Sequence, residues 1–211
     1  VGGLALHVDG TKVSNVTIST STDFDFGDGS SDSALSVAAW VKLDAITSAD
    51  GSTGGILNRF RPFGSGKGTW GLDHTSGKPR ISLRDESKHK TVRLQSDVAM
   101  EENRWYHIVA TYDGTGGTNA LQDPNGVIYI DGAKVSTTFL DDGGGYTAME
   151  VSTNPIYIGA QTNGFNGTID EVLLFDKELS AGEALEMYRA GAKGLGLLSN
   201  NYINYSAKGN F

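Results

Sequence analysis

The chain has 211 residues, no cysteine, 29 glycines, 4 prolines and a formal net charge of −8. Without cysteine there are no disulfides, thiolate metal sites or cysteine nucleophile, and the length is enough for a core that needs no such staples. An acidic chain repels phosphate backbones, which excludes nucleic acid as an expected partner, and no apolar run reaches the roughly 18 residues of a membrane-inserting helix.

In chain order, nearly every apolar segment alternates with period two, the signature of half-buried strands. Strands are predicted over 4–8, 16–20, 35–43, 54–60, 69–74, 79–85, 91–96, 105–113, 126–132, 133–140, 155–160 and 168–176. Turn clusters such as "TSGK", "MEEN", "DPNG" and "DDGGG" separate them. Many short strands at close spacing predict an all-β sandwich or barrel. Asp131-Gly132 between two alternating runs predicts a type I′ hairpin, because both turn positions need positive φ. Helical periodicity occurs once, in "SAGEALEMYRAG", with Ser180 and Glu183 spaced as a capping box and Gly191 placed to end it. Leu185 and Tyr188 are expected to face the sandwich. The final stretch, 192–211, lacks periodicity and is expected to pack on its own domain or on a neighbouring subunit.

Several motifs lead nowhere. "PFGSGKGTW" fails as a phosphate loop: Gly68 follows Lys67 where Ser or Thr is required, and a strand follows where a helix should. His7, His74, His89 and His107 show no metal spacing, and His107 reads as a hydrogen-bonded core or rim residue. No G-x-S-x-G elbow supports a serine triad. Among Trp40, Trp70 and Trp105, Trp70 lies in a glycine-flanked hairpin and is expected to be the exposed one.

The ordered segments "LALHVDG", "LSVAAWVKLD", "RWYHIVATYDG", "YIDGAKV" and "GTIDEVLLFDKELSAGEA" resemble the laminin-G-like domain of the concanavalin-A-like lectin/glucanase superfamily. The likeness covers residues 4–191, and a domain over 1–191 is expected. It implies a jelly-roll β-sandwich of two antiparallel sheets with one short C-terminal helix, mostly used for non-catalytic binding or adhesion. "FGDGSSDSALSVAAWVK" also resembles laminin-G-like domains of phage structural proteins.

Glucanases of that superfamily carry alternating carboxylates, E-x-D-x-E, on one strand face. Here Asp170 and Glu171 are adjacent, so an extended strand sends them to opposite faces, and no glycosidase site is found. Alternation would place Asp170 on one face with Val172 and Leu174. In related jelly rolls an aspartate at this place often meets the first strand at a Ca²⁺, which implies Asp9 and Asp170 as ligands. The alternative is that Asp170 bonds only backbone N–H groups or a nearby arginine.

The expected function is therefore recognition of a glycan or a surface protein, displayed on an extracellular, cell or virion surface, through loops 44–55, 61–69, 113–126 and 139–150. These carry Asp50, Asp113, Asn119, Asp123, Asn125, Asp141 and Asp142, with Trp70 or Tyr146 as a sugar-stacking plane. The rival is a structural subunit, a homo-oligomer or one part of a virion. A glycoside hydrolase is the remote third.

Overall fold

The computed structural model describes residues 5–10, 15–46, 53–60, 68–159 and 164–193. Asp50, loop 61–67 and the stretch 194–211 lie outside the described residues. The strands are β1 (Leu6–Asp9), β2 (Val16–Ile18), β3 (Leu35–Leu43), β4 (Thr53–Phe60), β5 (Gly68–Thr75), β6 (Lys78–Asp85) and β7 (Lys90–Ser96). They continue with β8 (Trp105–Tyr112), β9 (Gly126–Ile130), β10 (Ala133–Lys134), β11 (Thr137–Asp141), β12 (Ile156–Ile158) and β13 (Asn166–Phe175). One helix, α1 (Ala181–Ala192), follows the last strand.

The strands form two antiparallel sheets, one in the order β1-β13-β3-β8-β9-β10 and the other β11-β7-β6-β5-β4-β12-β2. The jelly-roll sandwich expected from the sequence is what forms. Alternation explains the core. Val37, Ala39, Val41 and Leu43 of β3 face Leu72, Ile81 and Leu83 of the opposing sheet, all fully buried. The other face of β3 buries Ala38 with Val109, Tyr129, Phe175 and Met187 beneath α1.

The predicted strand 133–140 breaks in two. Ala133 and Lys134 pair with β9, then the chain crosses to the other sheet, where Thr137–Asp141 pairs with β7. Asp131 (φ +52°) and Gly132 (φ +77°) make the predicted tight hairpin turn. A Cβ on Gly132 would come within 2.9 Å of Leu185 in α1, so close helix approach also requires glycine there. Ser180 and Glu183 close the predicted capping box. Gly191 does not end the helix. It sits inside the last turn, and a Cβ there would lie 2.2 Å from the Trp40 indole nitrogen, so its smallness lets the helix dock on Trp40.

The consequential departure is in β13. Asp170 pairs with Trp40 and Leu173 with Ala38, so two residues of β13 oppose Ala39 alone. This bulge puts Glu171 at φ +47° and reverses the expected alternation. Asp170 lies on the outer face with Trp40 and Leu173, whereas Val172 and Leu174 turn to the core. The expectation that Asp170 shares a face with Val172 and Leu174 is thereby corrected.

Candidate functional site

The loops do not scatter. Segments 19–34, 86–89, 113–125 and 142–155 gather at one end of the sandwich, because β3 starts, and β6 and β8 finish, at that end. Buried polar groups fasten them to one another. Asp32 accepts from the Tyr112 and Tyr146 hydroxyls at 2.7 Å each through one oxygen, and from Met149 N–H at 2.7 Å through the other. Burial pushes the Asp32 carboxyl upward against those bonds, and burial beside Asp32 pushes both phenols upward. Asp85, 2% exposed, accepts from Thr147 N–H and from Lys88 N–H, both at 3.1 Å.

Arg59 is a second fastener. Its side chain is wholly buried, yet it reaches Asp25 Oδ1 at 2.5 Å, Asn154 O at 3.1 Å, Ser21 O at 3.1 Å and Ser152 O at 2.5 Å. Ser152 N–H also donates to Asp25 Oδ1, at 2.9 Å. A guanidinium suits this task because its planar fork serves several acceptors while staying charged. Desolvation lowers the Arg59 pKa and Asp25 opposes that shift.

Between these fasteners opens a polar cleft of about 240 Å³ lined by Thr69, Glu86, Glu150, Ser152, Thr153 and Asn154. Glu86 is held by Arg84 Nε at 3.1 Å and Gly68 N–H at 3.2 Å, and Glu150 takes the Ser87 N–H at 2.9 Å. Thr69 is 2% exposed, and its hydroxyl is buried without a partner among the described residues. A buried hydroxyl in that state costs free energy.

The structure treats the sequence-derived candidates unevenly. Trp70 is 0% exposed, donates to Phe24 O at 3.0 Å and meets Phe26 edge-on. Its neighbours Gly68 and Gly71 bring β5 close to β4, so the glycines signal tight packing rather than exposure. Tyr146 is 2% exposed with its hydroxyl spent on Asp32. Neither offers a face to a sugar, and both expectations are corrected. Asp113 caps its own turn through Thr115 N–H at 2.8 Å, and Asp141 accepts from Gly144 N–H at 2.8 Å. Asp123 is ion-paired with Lys134 at 2.6 Å, while Asn119 presents its carbonyl to Asn125 Nδ2 at 3.2 Å. Asp142 pairs with Arg93 at 2.7 Å. All five belong to the loop end, as rim residues whose polar groups already serve local turns or ion pairs.

Asp9 and Asp170 are not brought together. Asp9 pairs with Asn166, four positions along β13 from Asp170, or about 13 Å at strand rise. Asp170 Oδ1 accepts the Glu171 N–H at 2.8 Å. Among the described residues no group of three His, Cys, Asp or Glu side chains is arranged to hold a metal. The Asp9–Asp170 pair therefore does not fit a shared Ca²⁺.

A family model described as the concanavalin A-like lectin/glucanases superfamily, laminin-G type, matches residues 14–184. The chain belongs to that superfamily. Among curated proteins, none matches the sequence. Solved structures similar to this superfamily member include the binding domain of botulinum neurotoxin serotype G, at 18% identity and TM-score 0.60, covering 88% of this chain and 42% of that one. The binding domain of Paraclostridial Mosquitocidal Protein 1 is similar at 15% identity and TM-score 0.64, covering 89% and 43%. A receptor binding domain of the botulinum neurotoxin mosaic serotype C/D follows at 18% and 0.53, covering 75% and 36%. At these identities the likeness is one of fold, and this chain spans less than half the length of each of those structures.

Of the residues that build the loop end in this laminin-G-type sandwich, Tyr146 was named for another role, while Arg59, Asp25, Asp32 and Glu150 were not singled out by sequence reasoning. Arg59 carried a usable signal: a lone cation within the apolar run "ILNRF" needs a buried partner. Asp25 lies between Phe24 and Phe26, the same kind of signal. Asp32 and Glu150 had none, since their roles depend on contacts between loops distant in sequence.

Proposed function

We propose that the protein is a non-catalytic binding module that recognises a glycan or a surface protein through the loop-end cleft, on an extracellular, cell or virion surface. The observation that carries this reading is the cleft itself. Its walls are held by buried polar bonds rather than left to move, and its lining carries the polar side chains of Thr69, Glu86, Glu150, Ser152, Thr153 and Asn154. Recognition favours such a preformed polar surface, because little ordering cost remains when a ligand enters.

Hydrolysis is a poor fit to the carboxyls present. A general acid near neutral pH needs a raised pKa. Two described carboxyls with raised values are Asp32 and Glu171. Asp32 has both oxygens occupied at the loop end, and Glu171 stands on the β13 bulge, so they form no pair across a sugar bond. The binding domains among the structural neighbours are in keeping with a binding role.

The test is a glycan array probed with the wild-type protein and with Thr69→Val and Glu150→Gln. Binding that falls with both variants supports the cleft. Retained binding in both removes the cleft from the reading, and absence of any glycan binding removes the lectin version altogether.

A further inference from the structure

The outer face of the six-stranded sheet carries a feature that the loop-end cleft does not use. Cross-strand register places His7, Thr168, Lys42 and Trp105 side by side across β1, β13, β3 and β8. All four point away from the core, since their sequence neighbours Leu6, Val8, Ile169, Val41 and Tyr106 point into it. The next row, Asp170, Trp40 and His107, is overlaid by Tyr188 of α1, which stacks on Trp40 with ring centroids 5.7 Å apart. The first row lies beyond that cover. It spans about 14 Å at ordinary strand spacing.

The tryptophans divide sharply along this face. Trp40 is 4% and Trp70 0% exposed, whereas Trp105 is half-buried with Lys42 Nζ 5.8 Å from its ring centroid. Among the described residues Lys42 forms no ion pair with a carboxylate. The neighbouring basic groups do have carboxylate partners: Arg104 meets Asp131 at 3.1 Å and lies over the Tyr106 ring at 4.6 Å, and the His7 ring is in hydrogen-bond contact with Asp44 at 2.8 Å. A solvent-facing cation–π contact adds little stability, so folding does not explain why this lysine is left with an aromatic plane for company.

We infer that Trp105 and Lys42 form a second recognition site, for an acidic sugar. The inference rests on the reading of the protein as a binding module and adds a site and a ligand class to it. The indole offers a flat apolar plane with a polar rim, which suits the C–H face of a pyranose. A ring seated there moves the lysine ammonium to the ring's edge, where it pairs with a carboxylate carried by the sugar. Thr168 and His7 continue the row with a hydroxyl and an imidazole for the sugar's hydroxyls. The net charge of −8 opposes an anion at long range. At physiological ionic strength screening acts within about 8 Å, so the cation in contact decides.

Trp105 is the most exposed of the three tryptophans, so a ligand-induced change in intrinsic fluorescence that disappears in Trp105→Leu reports this site. The probes are an oligogalacturonate, a sialylated trisaccharide and a neutral oligosaccharide of equal length, titrated against the full chain. We expect saturable fluorescence shifts with the first two. Trp105→Leu should weaken acidic-sugar binding, measured by calorimetry, at least tenfold with its melting transition retained. Lys42→Met should weaken acidic-sugar binding about tenfold and leave neutral-sugar binding unchanged. Acidic sugars bound with unchanged affinity by both variants would overturn this site and leave the binding-module reading intact. Failure of every sugar, here and on the glycan array, would overturn this site together with the lectin version of the binding-module reading. A selective loss in Glu150→Gln with none in Trp105→Leu would assign acidic sugars to the loop-end cleft and also overturn the proposal.

Discussion

The Tyr146 hydroxyl lies 2.7 Å from Asp32 Oδ2, and the two residues are 114 positions apart in the chain. This bond joins the 142–155 loop to the segment before β3. Removing the hydroxyl leaves a buried carboxylate oxygen with Tyr112 alone, which costs about 1–3 kcal/mol. Tyr146→Phe should therefore lower the urea midpoint with an unchanged slope. Because Tyr146 is buried, any sugar affinity of the folded fraction should stay at the wild-type value.

Arg59 and Asp25 form a buried pair, and losing one partner strands the other. Arg59→Met should destabilise by about 3–5 kcal/mol. Arg59→Lys should also destabilise, since one ammonium cannot serve acceptors spread over Asp25, Ser21, Ser152 and Asn154. Hydrogen exchange at the Ser152 amide, whose N–H donates to Asp25, should quicken in both variants. Unchanged protection there would show that the loop is held by something else.

Stability should fall on mild acidification. His74 and His107 are buried, and desolvation lowers the pKa of each to about 4 from 6.5, with Arg80 adding to the effect at His74. Both are neutral in the fold, while the unfolded chain protonates them below about pH 6.5. Their penalty is absent above that pH and grows as pH drops toward 4, to about 3 kcal/mol each. Asp32 and Glu171, with raised values, act in the opposite sense, because acidification relieves the cost of burying their charge. Urea melts between pH 7.5 and 4.5 should show the loss, and His107→Leu should flatten the slope. A wild-type midpoint constant over that range would refute the assignment.

Glu171 occupies a left-handed backbone conformation that costs a non-glycine residue about 1–2 kcal/mol, and its Oε2 is buried without a hydrogen-bond partner among the described residues. Glu171→Gly should stabilise the protein by about 1 kcal/mol, seen as a higher melting temperature. A lower one would mean that the carboxylate makes a contact worth more than the strain.

Asp9 and Asp170, set apart along β13, should not behave as a pair. The stability effects of Asp9→Asn and Asp170→Asn should add to within about 0.5 kcal/mol, in Ca²⁺ and in excess chelator alike. A coupling that appears only with Ca²⁺ would restore the shared ion.

Much of the fold could be read from local signals. The alternation of β3, the Asp131-Gly132 turn and the Ser180–Glu183 cap each depend on residues close in sequence, and each is found where expected. The errors arose where distant contacts decide. The β13 bulge is set by register against β3, so counting along "TIDEVLLF" put Asp170 on the wrong face. Trp70 was misjudged because its glycines were taken for a flexible turn, when they let two backbones approach. Trp105 was weighed with Trp40 and Trp70 but not preferred, because its place beside Lys42 on the outer face follows from cross-strand register that no local pattern shows. The loop-end cleft was legible only in part: loops 113–126 and 139–150 were named and belong to it, whereas 19–34 and 86–89 were not named and 44–55 leaves from the opposite end of β3, and the fasteners join segments whose pairing no short pattern reveals.

The Asp32 and Arg59 fasteners split the duties of the loop end. Stability rests on a few buried atoms near the base of each loop, while tips such as 87–89 and 143–145 project beyond them. Sequence change should be tolerated at the exposed side chains of Ser87 and Lys88, whereas Gly143, Gly144 and Gly145 hold positive φ and should resist it, so a library that varies the first tip and keeps those glycines could be selected for new targets on an unaltered frame.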